Sequence, residues 1–228
     1  KSIHKIKLNL IGKVQLKNML MAIIASIKSN ISIKDIFNVI PSIKPVNGRF
    51  EKIGKIKNNS KVILDYAHTP DALKTCLKNL KEQFSSHKVS LVFGCGGNRD
   101  KNKRAKMGKI ADLYSDKIYL TDDNPRLEQA SKIRKDIKKG IKNQKVLELA
   151  NREEAISKAI KDLNTGEILL VAGKGHETIQ EIGKKKIFSS DKKIILNAIK
   201  KKNLTLSKNL KANIINELSG EKKISPKA

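Results

Sequence analysis

Residues 61–97 read KVILDYAHTPDALKTCLKNLKEQFSSHKVSLVFGCGG. A β-branched run, Lys61 to Asp65, ends on a carboxylate, a stretch of helical periodicity follows from Asp71 to Gln83, and a second apolar run, Val89 to Phe93, opens into glycines. Strand, helix, strand with short apolar strands is the pattern of a parallel sheet covered on both faces. Outward from this unit the alternation continues. Strands are predicted at Lys117 to Thr121, Lys145 to Leu149 and Glu167 to Ala172, with a weaker one at Lys185 to Phe188. Helices are predicted at Lys103 to Tyr114, Ala130 to Lys139, Arg152 to Leu163 and Ser190 to Lys200. The fold class expected is α/β, with a mostly parallel sheet and helices on both faces.

Upstream, Leu8 to Ser26 reads as a strand end running into a helix and Ser32 to Val39 as a second short helix. Pro41 and Pro45 then mark a linker, which places a domain boundary near residues 44 to 48. Beyond about residue 202 the chain is polar and lysine-rich, with one amphipathic stretch from Leu206 to Leu218. The chain begins without methionine or a signal-peptide pattern, so it is expected to start inside a longer protein.

A chain of 228 residues with 39% hydrophobic content supports a buried core. The formal charge of +27 suggests nucleic acid or an anionic surface. Two features argue against that. The cations are overwhelmingly lysines spread along the chain, and aromatics make up only 4% and do not interleave with the basic runs. No apolar run approaches the roughly 18 residues a membrane span requires. Cys76 and Cys95 have no metal-ligand spacing, so a reduced, cytoplasmic setting is expected. Arginine is scarce, at positions 49, 99, 104, 126, 134 and 152. Where lysine serves for simple charge, a retained arginine hints at a planar, two-pronged contact with carboxylate or phosphate.

Four unusual clusters follow predicted strands: DYAHTPD at 65–71, GCGGNRD at 94–100, TDDNPR at 121–126 and GKGHE at 173–177. Open α/β sheets bind ligands just outside the carboxyl ends of their strands, so the four loops define one candidate site. Asp65 stands where a carboxylate can accept hydrogen bonds from a ribose, or it is a turn aspartate. His68 can approach a phosphate, or it is a hydrogen-bonded turn histidine. The glycines at 94–97 allow close approach of a ligand, yet neither a Walker nor a dinucleotide glycine fingerprint is present. Asp123, Asn124, Pro125 and Arg126 adjoin at a strand end, an arrangement suited to an amino-acid zwitterion or to a plain turn with solvated charges. Gly173 and Glu177 bracket a segment able to accept an ammonium.

The succession GRFE at 48–51, DYAHTPD at 65–71, FGCGGNRDKNKR at 93–104, TDDNPR at 121–126 and VAGKGHE at 171–177 resembles the Mur ligase family, in particular its diaminopimelate-adding branch. Order and spacing agree from about Leu10 to residue 200. The resemblance implies that residues 1–46 end a central P-loop ATPase domain and that 47–201 form a Rossmann-like carboxyl-terminal domain. For 202–228 it leaves two readings: the start of a fused following ligase, or a disordered extension. It implies ATP and magnesium as cofactors, with the P-loop and the magnesium ligands upstream and no metal site in this chain. Asn18, Arg49, Asp65 and His68 would serve ATP, while Gln15 departs from the asparagine usual in the family. Arg99, Asp123, Asn124, Pro125, Arg126, Gly173 and Glu177 would bind meso-diaminopimelate.

The activity implied is ATP-dependent amide formation through an acyl phosphate, joining meso-diaminopimelate to a UDP-linked muramoyl dipeptide in peptidoglycan synthesis. A cytoplasmic monomer without nucleic acid or a membrane span is expected. The competing readings are a lysine-adding member of the same family, against which the DNPR motif argues, and a basic nucleic-acid-binding α/β module.

Overall fold

The computed structural model describes Leu10 and residues 12–142 and 146–218. Helices α1 (Lys13–Lys28) and α2 (Ile33–Val39) come first, then strands and helices in alternation: β1 (Glu51–Lys52), β2 (Lys61–Asp65), α3 (Pro70–Gln83), β3 (Val89–Phe93), α4 (Asn102–Tyr114), β4 (Lys117–Leu120), α5 (Ala130–Lys138), β5 (Val146–Glu148), α6 (Arg152–Asp162) and β6 (Ile168–Ala172). A hairpin, β7 (Ile179–Ile182) and β8 (Lys185–Phe188), precedes the last helix, α7 (Asp191–Leu218).

The six-stranded sheet has the order β1-β2-β6-β3-β4-β5, parallel except for the edge strand β1. Side chains alternate across it, as a period of two requires. Ile63, Leu91, Phe93, Leu120 and Leu170 face α3, α4 and α5, which contribute Leu73, Leu77, Leu80, Met107, Ile133 and Ile137. Val62, Leu64, Val92, Tyr119, Leu169 and Val171 face α6 and α7, with Ile156, Ile160, Ile195 and Ile199. These strands are buried on both sides, which is why they read as continuous apolar runs. Helix starts follow local chemistry: Thr69 accepts from the Ala72 amide with Pro70 in the first turn, and Asn151 accepts from the Glu154 amide.

The elements match the sequence reading closely, apart from the unanticipated short strands β1 and β7 and three further differences. Lys185–Phe188 pairs antiparallel with β7 in a separate two-stranded sheet, because its register partners are Ile179–Ile182 and not a strand of the main sheet. The last helix, expected to end at Lys200, runs on through Leu218, since nothing in this lysine-rich stretch stops it. At the other end, the helix expected from Leu8 onward spans Lys13–Lys28. Leu8, Lys145 and residues 219–228 lie outside the described residues.

Beneath the carboxyl end of β6 an ion pair is fully enclosed. Arg152, at the start of α6, donates from Nε and Nη2 to Asp191 at 2.9 and 2.7 Å, and from Nη2 to the Ala172 carbonyl at 3.0 Å. Both side chains are at most 1% exposed, so the pair joins two helix starts and a strand end without solvent. Removing one partner strands the other charge. Asp191→Ala is therefore expected to lower the unfolding free energy by about 3–5 kcal/mol, read from denaturant titration of the 228-residue chain.

Candidate functional site

Strands β2, β6, β3 and β4 are neighbours, and their carboxyl ends open side by side. Between β2 and β3 the chain inserts β6, which arrives from the opposite face through α6, so the loops diverge there and leave a crevice. The four polar loops meet around a cavity of about 520 Å³. Arg99, Asp123, Asn124, Arg126, Gly173 and Glu177 all line it, with Tyr66, His68 and Lys103. Pro125 does not line it; its carbonyl packs against Gly97, where any Cβ would overlap the oxygen.

Each polar group is oriented by another. Glu177 accepts from the Tyr66 hydroxyl at 3.2 Å and from Asn124 Nδ2 at 3.1 Å. Asn124 Oδ1 accepts from the Glu181 amide at 3.0 Å and lies 3.5 Å from Lys174 Nζ. Lys174 is fully buried, donates to the Ile179 carbonyl and approaches Glu177 at 3.5 Å. Asp123 accepts from the Asn124 amide at 2.7 Å and packs against Gly173, whose φ of 115° and crowded Cβ position exclude a side chain. Burial, then the facing Glu177 carboxylate, raises the Tyr66 phenol above its ordinary pKa, so it stays a hydrogen-bond donor. Burial pushes the Cys95 thiol up to about 12, leaving it a small apolar part of the wall.

Two charged residues in the motifs face elsewhere. Asp122 pairs with Arg134, and burial outweighs that pairing to raise its carboxyl above the usual range. Arg104 is buried and grips both oxygens of Glu128 at 3.0 Å and Asp136 at 3.2 Å. Glu128 in turn accepts from the Asn98 amide. Arg104 thus braces the loop that presents Arg99.

A second cavity, about 550 Å³, lies between α1, the linker and α3, lined by Gln15, Asn18, Arg49, Phe50, Asp65 and Thr75 among others. The residues assigned to ATP divide here: Asn18, Arg49 and Asp65 share this cavity, whereas His68 lines the first. Asp65 is largely occupied, accepting from the Phe50 amide at 2.6 Å, the Ala67 amide at 2.8 Å and the Cys76 thiol at 3.3 Å. Gln15 donates to the Arg49 carbonyl at 3.1 Å and so fixes the linker. The Arg49 guanidinium lies 4.4 Å from the centre of the Tyr66 ring, linking the two cavities through one aromatic. The linker is locked down further where Gly48 meets Gly175 and His176 with no room for a Cβ.

Over residues 48–175 the sequence matches the family described as Mur ligase, glutamate ligase domain. The chain belongs to the Mur ligase family. Among Mur ligase relatives, it is 45% identical over 192 residues to the UDP-N-acetylmuramoyl-L-alanyl-D-glutamate–2,6-diaminopimelate ligase of Rickettsia rickettsii, covering 84% of this chain and 39% of that protein. With the enzyme of the same name from Buchnera aphidicola subsp. Baizongia pistaciae it is 45% identical over 195 residues, 85% of this chain and 38% of that one. A solved Mur ligase structure of that name superposes with a TM-score of 0.67 at 34% identity, over 86% of this chain and 40% of the other. The chain thus spans about two fifths of the length of the curated relatives it matches.

Sequence reasoning missed Tyr66, Lys174, Glu181 and Gln180, whose Nε2 donates to the Asp123 carbonyl at 2.6 Å, as parts of the site or its support. Lys174 had a signal in its flanking glycines at a strand end; Gln180 and Glu181 had none, because the hairpin folds back onto β4's loop. Gly97→Ala is expected to push the 94–97 loop off Pro125 and lower stability by about 1–3 kcal/mol in denaturant titration, the usual cost of overpacking.

Proposed function

We propose that this chain is the amino-acid-recruiting part of an ATP-dependent ligase that joins meso-diaminopimelate to UDP-N-acetylmuramoyl-L-alanyl-D-glutamate. One observation carries the reading: a single cavity brings Arg99 and Arg126 together with Asp123, Asn124 and Glu177. Diaminopimelate is a double zwitterion, with two carboxylates and two amines. The guanidinia suit the carboxylates and the carboxyl and amide oxygens suit an ammonium. The relatives' names support the substrate, as does the intact DNPR sequence at 123–126.

The second cavity suits ATP: Phe50, Ala72 and Cys76 offer apolar walls for a base, Asn18 and Asp65 polar groups for its edge and a ribose, and Arg49 a cation for phosphate. His68, in the amino-acid cavity, would approach the nucleotide only from its phosphate side. Among the described residues no three His, Cys, Asp or Glu side chains cluster to hold a metal ion. The magnesium ligands are read as lying in the part of the protein upstream of this chain. In the reaction, a phosphorylated precursor carboxylate is attacked by the amine of diaminopimelate, releasing phosphate and forming the amide. This chain's share is orientation of that amine and stabilisation of charge.

In this reading residues 1–46 end the central ATPase domain and 47–201 form the amino-acid domain. The exposed Leu20, Met21, Ile24 and Ile27 on α1 support the first assignment, since such a face suits burial against a larger body. A cytoplasmic, monomeric enzyme accords with the proposal. No helix among the described residues is long and apolar enough to cross a membrane.

The 228-residue chain alone is expected to form no amide bond in an assay of ADP release, because a phosphate-cradling P-loop is absent from its sequence. Turnover by the chain alone would refute this. Joined to the upstream half, Arg126→Ala is expected to weaken selection of diaminopimelate over lysine by about 1.5–3.5 decades, from roughly 2–5 kcal/mol for a desolvated charge-assisted pair. The KM for ATP should stay nearly constant. Preserved selection with damaged ATP binding would overturn the assignment of the cavity. A steep salt dependence of oligonucleotide binding would instead favour a nucleic-acid module.

A further inference from the structure

Arg126 is held by the β7–β8 hairpin more than by its own loop. Its φ of 51° puts a non-glycine residue in the left-handed region. Backbone bonds on both sides keep it there: its amide donates to the Glu181 carbonyl at 2.9 Å, and its carbonyl accepts from the Gly183 amide at 2.7 Å. Glu181 then reaches Arg126 a second way, with Oε2 at 2.7 Å from Nε. On the guanidinium's other side, Nη1 donates to the Gly97 carbonyl at 2.9 Å. Nη2 has no hydrogen bond to protein among the described residues. Two corners of the head group are fixed and the third is free.

Glu181 can act on a ligand in two opposed ways. Its ion pair restrains a long side chain before the ligand arrives, which removes an ordering cost. Its charge also repels an incoming carboxylate. The two side chains are 24% and 34% exposed, so repulsion across the guanidinium is screened by solvent, whereas the orienting ion pair acts at contact. Orientation therefore outweighs repulsion.

We propose that Glu181 is a positioning residue for substrate selection: by holding Nε of Arg126 it leaves Nη2 as the corner that receives the second carboxylate of a dicarboxylic diamino acid. This rests on the amino-acid reading of the cavity. With the upstream half present, Glu181→Ala is expected to raise the KM for diaminopimelate about tenfold, a typical coupling for contacting charged groups, with kcat and the KM for ATP within about twofold. Glu181→Gln keeps the reach of the side chain but not the charge of the ion pair, and should restore only part of the affinity. In an Arg126→Ala background, Glu181→Ala should add less than about twofold, because the group it positions is gone.

An unchanged or lowered KM in Glu181→Ala would overturn the proposal, as would a penalty that persists undiminished without Arg126. A loss at Arg126→Ala with no effect of Glu181→Ala sinks this inference alone. Intact selection in Arg126→Ala sinks the amino-acid reading beneath it.

Discussion

The candidate site depends on the Asn124 amide. Its Nδ2 holds Glu177, its Oδ1 receives the Glu181 amide, and its backbone carbonyl accepts from the Gly97 amide at 2.8 Å. One residue after β4 therefore ties together the loop after β3, the loop after β6 and the hairpin beyond. An amide can do this because it donates and accepts at once; a carboxylate at the same position could only accept. With its hydrogen-bonding groups engaged, the flanking Asp123 and Arg126 are carried in fixed relation to each other.

Around that tie, charge is arranged in layers. Lys174, fully buried beneath the loops, supplies a cation to groups that would otherwise gather negative charge, namely Glu177 and the Asn124 oxygen. Arg152 and Asp191 close the layer below as a sealed pair. The outer layer, Arg99, Lys103 and Glu177, borders the cavity. A ligand with both signs of charge meets a surface whose own charges are already balanced from beneath, so its binding need not reorganise the interior.

Much of this was legible in the sequence, for physical reasons that can be named. Strands buried on both faces must be largely apolar, so the runs within Lys61–Asp65 and Val89–Phe93 declared themselves to the residue. Loop residues at strand ends were legible as Asp123, Asn124 and Arg126 because sheet geometry sends such loops to one edge. The hairpin was not legible as part of the site. Its role comes from a tertiary contact between Glu181 and Arg126 that no periodicity encodes. Asp65 illustrates a different limit: its place at the strand end was evident, but its bonds to Phe50 and Ala67 give it a structural task that the position alone does not reveal.

The left-handed backbone at Arg126 sets two kinds of fitness against each other. Glycine would adopt that conformation without the roughly 1 kcal/mol a side chain costs there, yet glycine has no guanidinium to offer a substrate. Exchanging the side chain for glycine would relieve the backbone but give up the ion pair to Glu181 and the bond to the Gly97 carbonyl, so relaxation and anchoring pull in opposite directions at one position.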